Sequence, residues 1–437
     1  MQNKVLIITY YWPPSGGSGV QRWLKFVKYL PQFGYIPHVY TVENGEYPVI
    51  DNSLEKDIPK EAVIIKKPII EPYGFYKKML GHKKNKKLGH GFVGERNKSG
   101  LKKLVHSFAL WVRGNFFIPD ARVLWVKPSV DFLTEYVKTN NITTIISTGT
   151  PHSMHLIAQG IKQRTGVKWI ADFRDPWTGV YYLKDMKLSK SSFQKHLKLE
   201  KEVLLNCDVI TTVGNHLAQN LISLVKEKSI ADKVIVLPNG FDREINIEQE
   251  VVLDKKFSIV YIGLFSKEQN HPAYWKALRT CVDEDADFAK DLELKCVGNI
   301  DPSIENAITQ NQLSKYYNKI GFVSHAEAES YQRSAQVLLL SINNYPGAKE
   351  MLTGKLFEYI ASGRPILCLG PADGDAAAVI NQTSTGEISE WDDVEKIKAT
   401  LKKYYAMYKV NELKAHPIHL EKYHRKNLTQ ELIKILN

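Results

Sequence analysis

Strand-like apolar runs alternate with helix-length segments along most of this chain. From residue 142 the runs are ITTIIST, VKWIADF, DVITTV and KVIVLP, separated by helical segments from about Ser153 to Arg164 and from about Ser192 to Asn206. A second series begins with FSIVYIG at residue 257 and continues through LELKCVG, QVLLLSI and PILCLG. Helices of this length connect neighbouring parallel strands, so the pattern predicts an α/β protein with two Rossmann-like domains.

The segment 238–256, PNGFDREINIEQEVVLDKK, separates the two series and has turn chemistry followed by polar, aperiodic sequence. We therefore predict an N-terminal domain over residues 1–240 and a C-terminal domain over residues 250–414. The last residues, LEKYHRKNLTQELIKILN, have an amphipathic pattern, and we expect the helix in residues 415–437 to pack back on the first domain. A chain of 437 residues with 43% hydrophobic content is long enough for two cores.

A glycine-rich loop, YWPPSGGSG, follows the first strand-like run, KVLIITY, and precedes a helical segment. Gly16, Gly17 and Gly19 allow the backbone to approach an anion at the start of that helix, which is a phosphate-binding arrangement. The loop matches neither the dinucleotide fingerprint GxGxxG nor the P-loop GxxxxGK[ST]. A tight turn with no ligand is the alternative.

Two polar clusters follow strands of the first series, and ligands of parallel sheets bind at the carboxyl ends of strands. The first, TGTPHSMH, offers His152 and His155 as ligand donors or acceptors, with surface histidines at a helix N-terminus as the alternative. The second, DFRDPW, offers Asp172, Arg174 and Asp175, which are equally consistent with an internal ion-pair cluster that holds two loops.

The stretch 350–365, EMLTGKLFEYIASGRP, concentrates two carboxylates, a lysine and a helix start. Thr353 or Gly354 is the expected helix cap, so that the backbone of Leu352–Gly354 would present N–H groups to an anion beside Lys355. If Glu350 and Glu358 shared one continuous helix, they would lie ~12 Å apart along its axis and contact different parts of an extended ligand. A solvated amphipathic helix is the alternative.

Positive charge is concentrated in the first 240 residues, which contain 35 Lys and Arg against 19 Asp and Glu. The densest part, residues 77–103, has ten basic residues and one acidic residue, and the aromatic segment LVHSFALWVRGNFFIP follows it. This pattern predicts contact of residues 77–117 with an anionic membrane surface. A solvated lysine loop beside a buried helix is the alternative. Nucleic acid is disfavoured because the aromatic and basic residues are not interleaved.

The four cysteines, Cys207, Cys281, Cys296 and Cys368, are widely spaced and form no CxxC motif, which argues against a disulfide framework or a structural zinc site. The first residues form an apolar run too short for a signal peptide, and no stretch approaches eighteen apolar residues. We therefore expect a cytoplasmic protein, which is peripheral on the inner face of the cell membrane if residues 77–117 contact lipid. The acidic run DEDAD at 283–287 fits a solvated helix end better than a metal site.

Three motifs occur in an order that resembles the retaining glycosyltransferases of family 4, which have the GT-B fold of two Rossmann-like domains facing across a cleft. These are GGSG after the first strand, PNGFD before the second domain, and E-x7-E ahead of ASGRP. The resemblance covers nearly the full length. It implies a hexosyltransferase that takes a sugar from a nucleotide sugar held by the C-terminal domain. The N-terminal domain would bind a glycan or lipid-linked acceptor for cell-surface polysaccharide or lipopolysaccharide biosynthesis.

The resemblance also assigns roles to residues. Glu350 would contact sugar hydroxyls near the anomeric centre, and Glu358 would bind the ribose of the nucleotide. The backbone of Leu352–Gly354 would hold the diphosphate, together with Gly16 and Gly17 from across the cleft. UDP- or GDP-sugar is the expected co-substrate, with no other cofactor and no metal, because fixed N–H dipoles and a cation can stabilise the departing diphosphate.

His152 resembles the histidine that contacts the donor sugar in this family, and His155, Asp172, Arg174 and Asp175 remain candidates for acceptor contacts. The family pattern GR…KG after the first strand of the second domain is absent. The sequence there is IGLFSKEQN, in which Leu264 replaces the arginine and Gln269 falls near the usual lysine. Lys267 or Lys355 would have to supply the missing charge.

Two other functions fit the same fold. A nucleotide-sugar epimerase would use the donor site without an acceptor. A non-catalytic protein that binds membranes or polyanions would keep the basic N-terminal half and lose the reaction, which the absent arginine would explain.

Overall fold

The computed structural model describes residues 3–71, 101–225, 227–242 and 251–437. Unit 1 comprises Met1–Pro238 and Arg425–Asn437, and unit 2 comprises Asn239–His424. Most of the predicted basic run, residues 77–100, and residues 243–250 of the predicted linker lie outside the described residues. Within the described residues, none of the helices is both long and apolar enough to span a bilayer.

Unit 1 is built on a seven-stranded parallel sheet in the order β3-β2-β1-β4-β5-β6-β7. All six residues of β4 are buried, because helices cover both faces of the sheet, and this is why its central strands read as unbroken apolar runs. The strands are Asn3–Ile8 (β1), Tyr35–Val42 (β2), Val63–Lys67 (β3), Thr144–Gly149 (β4), Lys168–Phe173 (β5), Val209–Thr212 (β6) and Val234–Val236 (β7).

The helices of unit 1 connect these strands, and the last one comes from the end of the chain. They are Ser18–Tyr29 (α1), Leu101–Phe116 (α2), Val123–Thr139 (α3), Ser153–Thr165 (α4), Lys190–Asn206 (α5), Asn215–Val225 (α6) and Arg425–Leu436 (α14). Leu428, Leu432 and Ile435 of α14 pack in one core with Val20 and Trp23 of α1. The final helix is therefore part of the hydrophobic core of unit 1.

Unit 2 is built on a six-stranded parallel sheet in the order β10-β9-β8-β11-β12-β13. Its strands are Phe257–Ile262 (β8), Leu292–Val297 (β9), Tyr317–Ile320 (β10), Val337–Ser341 (β11), Ile366–Leu369 (β12) and Gly386–Ser389 (β13). Its helices are Pro272–Glu284 (α7), Ala286–Asp291 (α8), Pro302–Gln310 (α9), His325–Ser334 (α10), Gly354–Ala361 (α11), Asp375–Thr383 (α12) and Val394–Lys409 (α13). The predicted pair of Rossmann-like domains is confirmed.

The strand order of each sheet reverses at one point. In unit 1 the reversal lies between β1 and β4, and in unit 2 it lies between β8 and β11. Loops that leave the carboxyl ends of two such strands diverge and open a crevice, which is the usual ligand site of a doubly wound sheet. The loops after β1 and β4, and those after β8 and β11, are therefore where we look for functional residues.

Candidate functional site

The N-terminus of α11 lies in the connection from β11 to β12, next to the strand reversal of unit 2. Thr353 is the N-cap residue in an extended conformation, but its side chain makes no capping bond. Its hydroxyl oxygen is buried and has no hydrogen-bond partner in the described part of the chain. An uncapped helix start with an unused hydroxyl offers several donors to an anionic ligand.

Lys355, in the first turn of α11, reaches across to the end of β8. Its Nζ donates a 2.5 Å hydrogen bond to the hydroxyl of Tyr261 and lies 4.1 Å from the centre of that ring. A methyl group on Gly263 would stand 3.3 Å from Lys355 Cε, so the amine lies against the first residue after β8. Burial lowers the pKa of Lys355 to about 7, against the opposing effect of the Glu358 carboxylate.

In the loop after β8, neither of the two positions where the family pattern has a cation carries one. Leu264 and Gln269 occupy these positions. Leu264 is 64% exposed. Gln269 is buried, and its Oε1 accepts a 3.0 Å hydrogen bond from the backbone N–H of Ser266 while its Nε2 donates to the carbonyl of Ser341. Lys267 is exposed. Of the two lysines that we considered for the missing charge, Lys355 is the one whose amine contacts the end of β8.

The two glutamates of the E-x7-E motif lie on different elements. Glu350 ends a short 3-10 turn, Ala348–Glu350, and is only 8% exposed. The chain is then extended through Met351 and Thr353, so the condition of one continuous helix is not met and the ~12 Å axial spacing does not apply. Glu358 lies within α11 and accepts a 2.9 Å hydrogen bond from Gln332 of α10.

Arg174 connects the loops at the strand reversal of unit 1. Its guanidinium donates to the carbonyl of Gly19 at 2.5 Å, to that of Gly149 at 3.1 Å and to that of Thr150 at 2.9 Å. The first turn of α1, which follows the loop after β1, is thereby fixed to the end of β4 and to the first residue after it. Gly17, the N-cap residue of α1, has a φ of 88°, a left-handed conformation that disfavours any residue with a Cβ atom.

Two other predicted residues of unit 1 are Gly16, in the loop after β1, and Asp175, in the loop after β5. The backbone N–H of Gly16 donates to the carbonyl of Val49 at 2.9 Å, and a Cβ atom on Gly16 would stand 3.0 Å from Asp51. Asp175 is 54% exposed and lies 3.6 Å from Arg174 Nε. Gly16 is therefore held by neighbouring backbone, whereas Asp175 faces solvent.

Asp172 is completely buried at the end of β5, and both of its carboxylate oxygens accept hydrogen bonds within unit 1. Arg22 approaches it in a two-pronged ion pair with a shortest distance of 2.8 Å. These charged and polar partners hold the pKa of Asp172 below its usual value despite its burial. Its other donors are the indole of Trp23 and the hydroxyls of Thr148 and Thr211. The geometry favours an internal ion pair, formed with Arg22 rather than Arg174.

His152 and His155 are both buried, so the alternative that they are surface residues is wrong. The ring of His152 stacks on Trp177 with centroids 4.7 Å apart, and the ring of His155 stacks on Phe173 at 4.5 Å. Burial lowers the pKa of His155 to about 3 and that of His152 well below its usual value. Both imidazoles are therefore neutral near pH 7.

One nitrogen of each ring remains without a partner among the described residues, Nδ1 of His152 and Nε2 of His155. Both face the α-carbon of Gly149, where an added methyl group would stand 2.6 Å from the first and 2.7 Å from the second. His155 Nδ1 lies 2.8 Å from the hydroxyl of Ser147. Two neutral imidazoles thus offer hydrogen-bonding capacity beneath the loop that follows β4.

The described residues contain no group of three His, Cys, Asp or Glu side chains arranged to hold a metal ion. In the acidic run DEDAD, Asp285 caps α8 by accepting hydrogen bonds from the backbone N–H groups of Asp287 and Phe288. The four cysteines are buried and unpaired with one another.

No family model and no curated protein matches the sequence. Solved structures match over the whole chain. A glycosyltransferase from Rickettsia africae ESF-5 shares 15% identity at a TM-score of 0.60, covering 99% of this chain and 94% of its own. HepE from Anabaena, in complex with UDP-glucose, shares 10% identity at a TM-score of 0.58, covering 99% of both chains. WaaG, a glycosyltransferase involved in lipopolysaccharide biosynthesis, shares 12% identity at a TM-score of 0.54, also covering 99% of both.

This chain has the GT-B fold. At these identities the likeness shows the fold alone, so the chemistry must be argued from the residues. In the second GT-B unit the structure brings Lys355 and the α11 N-terminus to the loop after β8. In the first it brings Gly19, Gly149 and Arg174 together above two buried histidines. Sequence reasoning missed Tyr261 and Arg22, which carry no motif of their own.

Proposed function

We propose that this protein is a glycosyltransferase that moves a sugar from a nucleotide-sugar donor to a glycan or lipid-linked glycan. The observation that carries the proposal is the anion site at the start of α11. There the helix start is uncapped, the hydroxyl of Thr353 is unused, and the amine of Lys355 lies at the end of β8, beside the strand reversal of unit 2. A diphosphate is the anion whose charge and length suit such a site in a GT-B unit.

The chemistry follows from where charge develops. When the glycosidic bond to the donor breaks, negative charge builds on the departing diphosphate, and donors that are already in place stabilise it without reorganising. The backbone N–H groups of Leu352–Gly354 and the ammonium of Lys355 supply these donors, so the proposed route needs no metal. We further propose the family 4 type of hexosyl transfer with retention, in which the acceptor attacks the face from which the diphosphate leaves.

The remaining donor contacts are assigned by the resemblance. Glu350 binds sugar hydroxyls near the anomeric centre, Glu358 binds the ribose, and His152 contacts the donor sugar. Gly16 and Gly17 approach the diphosphate, and Lys267 is a second candidate cation on the loop after β8. The burial of Glu350 supports its role, because a carboxylate held in one orientation by its surroundings can position sugar hydroxyls precisely.

For the acceptor we propose unit 1, with Arg174 and Asp175 as the residues nearest to solvent. The complete burial of Asp172 and His155 favours a supporting role for these two beneath the loops. We propose a UDP- or GDP-sugar donor and a role in cell-surface polysaccharide or lipopolysaccharide synthesis. HepE, which has the same fold, was solved with UDP-glucose, and WaaG is involved in lipopolysaccharide biosynthesis. We place the protein in the cytoplasm, peripheral to the inner membrane face.

A panel of nucleotide sugars tests the proposal in two stages. A true donor stabilises the folded protein by mass action, by about 2.7 kcal/mol at one hundred times its Kd, and so raises the melting temperature. The donor found in this way is then incubated with and without candidate acceptors, and the products are analysed. Epimerised sugar without an acceptor would identify an epimerase, and the absence of both stabilisation and turnover would identify a non-catalytic binding protein.

Glu350→Ala supplies the decisive variant. We expect transfer to fall by roughly 10²–10³-fold or more, because an interaction that matters most in the transition state is lost, while the protein remains folded. The matched control is Glu395→Ala, since the Glu395 side chain is 80% exposed on α13. Full activity in the Glu350 variant contradicts the proposed mechanism.

A further inference from the structure

One surface of unit 1 exposes three large aromatic side chains of α2. Phe108 is 57% exposed, Trp111 38% and Phe116 68%. Their rings form a continuous row, with centroids 5.9 Å apart between Phe108 and Trp111 and 5.6 Å apart between Trp111 and Phe116. Single exposed hydrophobic residues are ordinary, but a contiguous row of rings on one helix marks an interaction surface.

The opposite side of α2 packs against the rest of unit 1. The aromatic row therefore faces solvent. Ala109 is buried, and a methyl group on Gly114 would stand 2.6 Å from Leu188 and 3.0 Å from Met186. The glycine therefore permits close approach of α2 to the segment before α5. Rotating α2 to bury the rings would break this contact.

Exposed lysines lie beside the aromatic row. Lys187 donates a 2.7 Å hydrogen bond from Nζ to Ser107, the residue that precedes Phe108. Asn115 of α2 donates to the carbonyl of Lys187 at 3.3 Å and accepts from the backbone N–H of Ser189 at 2.8 Å. These bonds hold the start of α5, with the exposed Lys190, alongside the second half of α2.

The segment that packs on α2 is strongly basic. Residues 184–198 contain five lysines and one acidic residue, Asp185. Lys184, Lys187 and Lys190 are exposed. Exposed aromatic rings flanked by exposed lysines are the composition that binds the interface of an anionic bilayer, where the rings lie at the headgroups and the lysines contact the lipid charge.

We propose that the α2 surface, consisting of Phe108, Trp111 and Phe116 with Lys187 and Lys190, docks the protein on an anionic lipid bilayer. This inference rests on the proposed function in one respect: docking would bring the enzyme to a lipid-linked acceptor. It does not depend on residues 72–100. It extends the surface expected from the sequence to the start of α5, which is distant in the chain and which composition alone did not single out.

Vesicle co-sedimentation of the full chain tests the proposal. We compare vesicles of pure phosphatidylcholine with vesicles that contain about one quarter phosphatidylglycerol, at low and high salt. Wild type is expected to bind the anionic vesicles more tightly, and less so as salt screens the charges. Phe108→Ser with Phe116→Ser should weaken binding by roughly tenfold per ring. Lys187→Gln with Lys190→Gln should weaken it by roughly fivefold per lysine.

Matched controls come from unit 2. Phe322→Ser removes a ring that is 86% exposed, and Lys276→Gln with Lys290→Gln removes two exposed charges. These variants are expected to bind vesicles like wild type. Wild-type binding by the α2 variants would overturn the proposal, and so would equal binding to neutral and anionic vesicles. If wild type is an oligomer in the absence of lipid and the α2 variants are monomers, the surface binds a protein partner instead.

A second measurement separates this proposal from the proposed function. Transfer to a short-chain, water-soluble acceptor should be unchanged in the α2 variants, because the substituted residues lie outside the candidate site. If wild type binds anionic vesicles through this surface but transfers no sugar, docking stands and the enzymatic proposal fails. If transfer proceeds and the α2 variants bind vesicles normally, the enzymatic proposal stands and docking fails.

Discussion

Lys355 donates a 2.5 Å hydrogen bond to the hydroxyl of Tyr261, which joins the first turn of α11 to the end of β8. The contact holds the lysine amine against Gly263, at the start of the loop where the family 4 pattern has its arginine. Lys355 of α11 thus places a cation at the end of β8, where the family pattern has its arginine on the loop itself. The position of this charge depends on an aromatic residue that no motif identifies.

The first prediction concerns the two lysines that were candidates for the diphosphate. Lys355→Met should weaken donor binding by about 10- to 100-fold, because a charge-assisted hydrogen bond contributes ~1.5–3 kcal/mol. Tyr261→Phe should have a smaller effect, since the amine stays but loses its anchor. Lys267→Met is the comparison variant, and we expect a smaller loss because only Lys355 has its amine at the end of β8. Titration calorimetry measures all three, and a larger loss in the Lys267 variant would reverse the assignment.

Donor binding should also take up a proton. Burial lowers the pKa of Lys355 to about 7 in the empty site, whereas a bound diphosphate favours the ammonium and raises that pKa. Above pH 7 the empty protein carries the neutral amine, so binding adds a proton and affinity falls as pH rises, by up to tenfold per unit. Calorimetry in two buffers of different ionisation enthalpy measures the uptake. Unchanged uptake in Lys355→Met would assign the proton to another group.

Asp172 and Asp175 belong to one sequence motif, but we expect substitutions of the two to differ greatly in their effect on stability. Asp172→Ala leaves Arg22 buried without its counter-charge and should lower the free energy of unfolding by ~3–5 kcal/mol. Asp175→Ala should change it by less than ~0.5 kcal/mol, because this side chain is 54% exposed. Urea unfolding followed by tryptophan fluorescence compares them, and equal effects would contradict the internal role of Asp172.

The sequence predicts the centre of each sheet better than its edges. Strands such as β4 and β11 are buried on both faces and therefore read as continuous apolar runs. The outer strands β3, β10 and β13 were not predicted. In β10, YNKI, Asn318 and Lys319 are exposed, so no hydrophobic run marks it. Each of these strands forms because the preceding strand supplies hydrogen-bonding groups along one side, and this pairing requires no hydrophobic run in the edge strand itself.

The candidate site shows the same limit at the level of side chains. The motif located the start of α11 and Lys355, because helix starts have local signatures. The partner Tyr261 lies 94 residues earlier, and only the strand order brings the two together. The motif TGTPHSMH gave no sign that His152 and His155 are buried. Their rings are covered by Phe173, the last residue of the neighbouring strand β5, and by Trp177, which follows that strand.

Buried neutral histidines should make the protein sensitive to mild acid. Burial lowers the pKa of His152, His155 and His196 in unit 1, and that of His271 to about 4 in unit 2. Each group titrates near 6.5 when unfolded, so below that pH the unfolded chain binds protons that the folded chain does not. The stabilisation is complete above pH 6.5 and declines by up to ~1.4 kcal/mol per pH unit for each histidine below it.

Urea unfolding at pH 7.5 and pH 5.5 tests this prediction, in a range above the titration of most carboxylates. We expect a loss of about 1 kcal/mol for each strongly shifted histidine. His155→Leu should have a lower free energy of unfolding than wild type at pH 7.5, because it loses the bond to Ser147. Between pH 7.5 and pH 5.5, however, its free energy of unfolding should fall by about 1 kcal/mol less than that of wild type, because one titrating histidine is gone. His325→Gln is the matched control, because the His325 side chain is 59% exposed rather than buried. If the His155 and His325 variants keep the wild-type difference between the two pH values, the acid sensitivity arises elsewhere and His155 is not held neutral by burial.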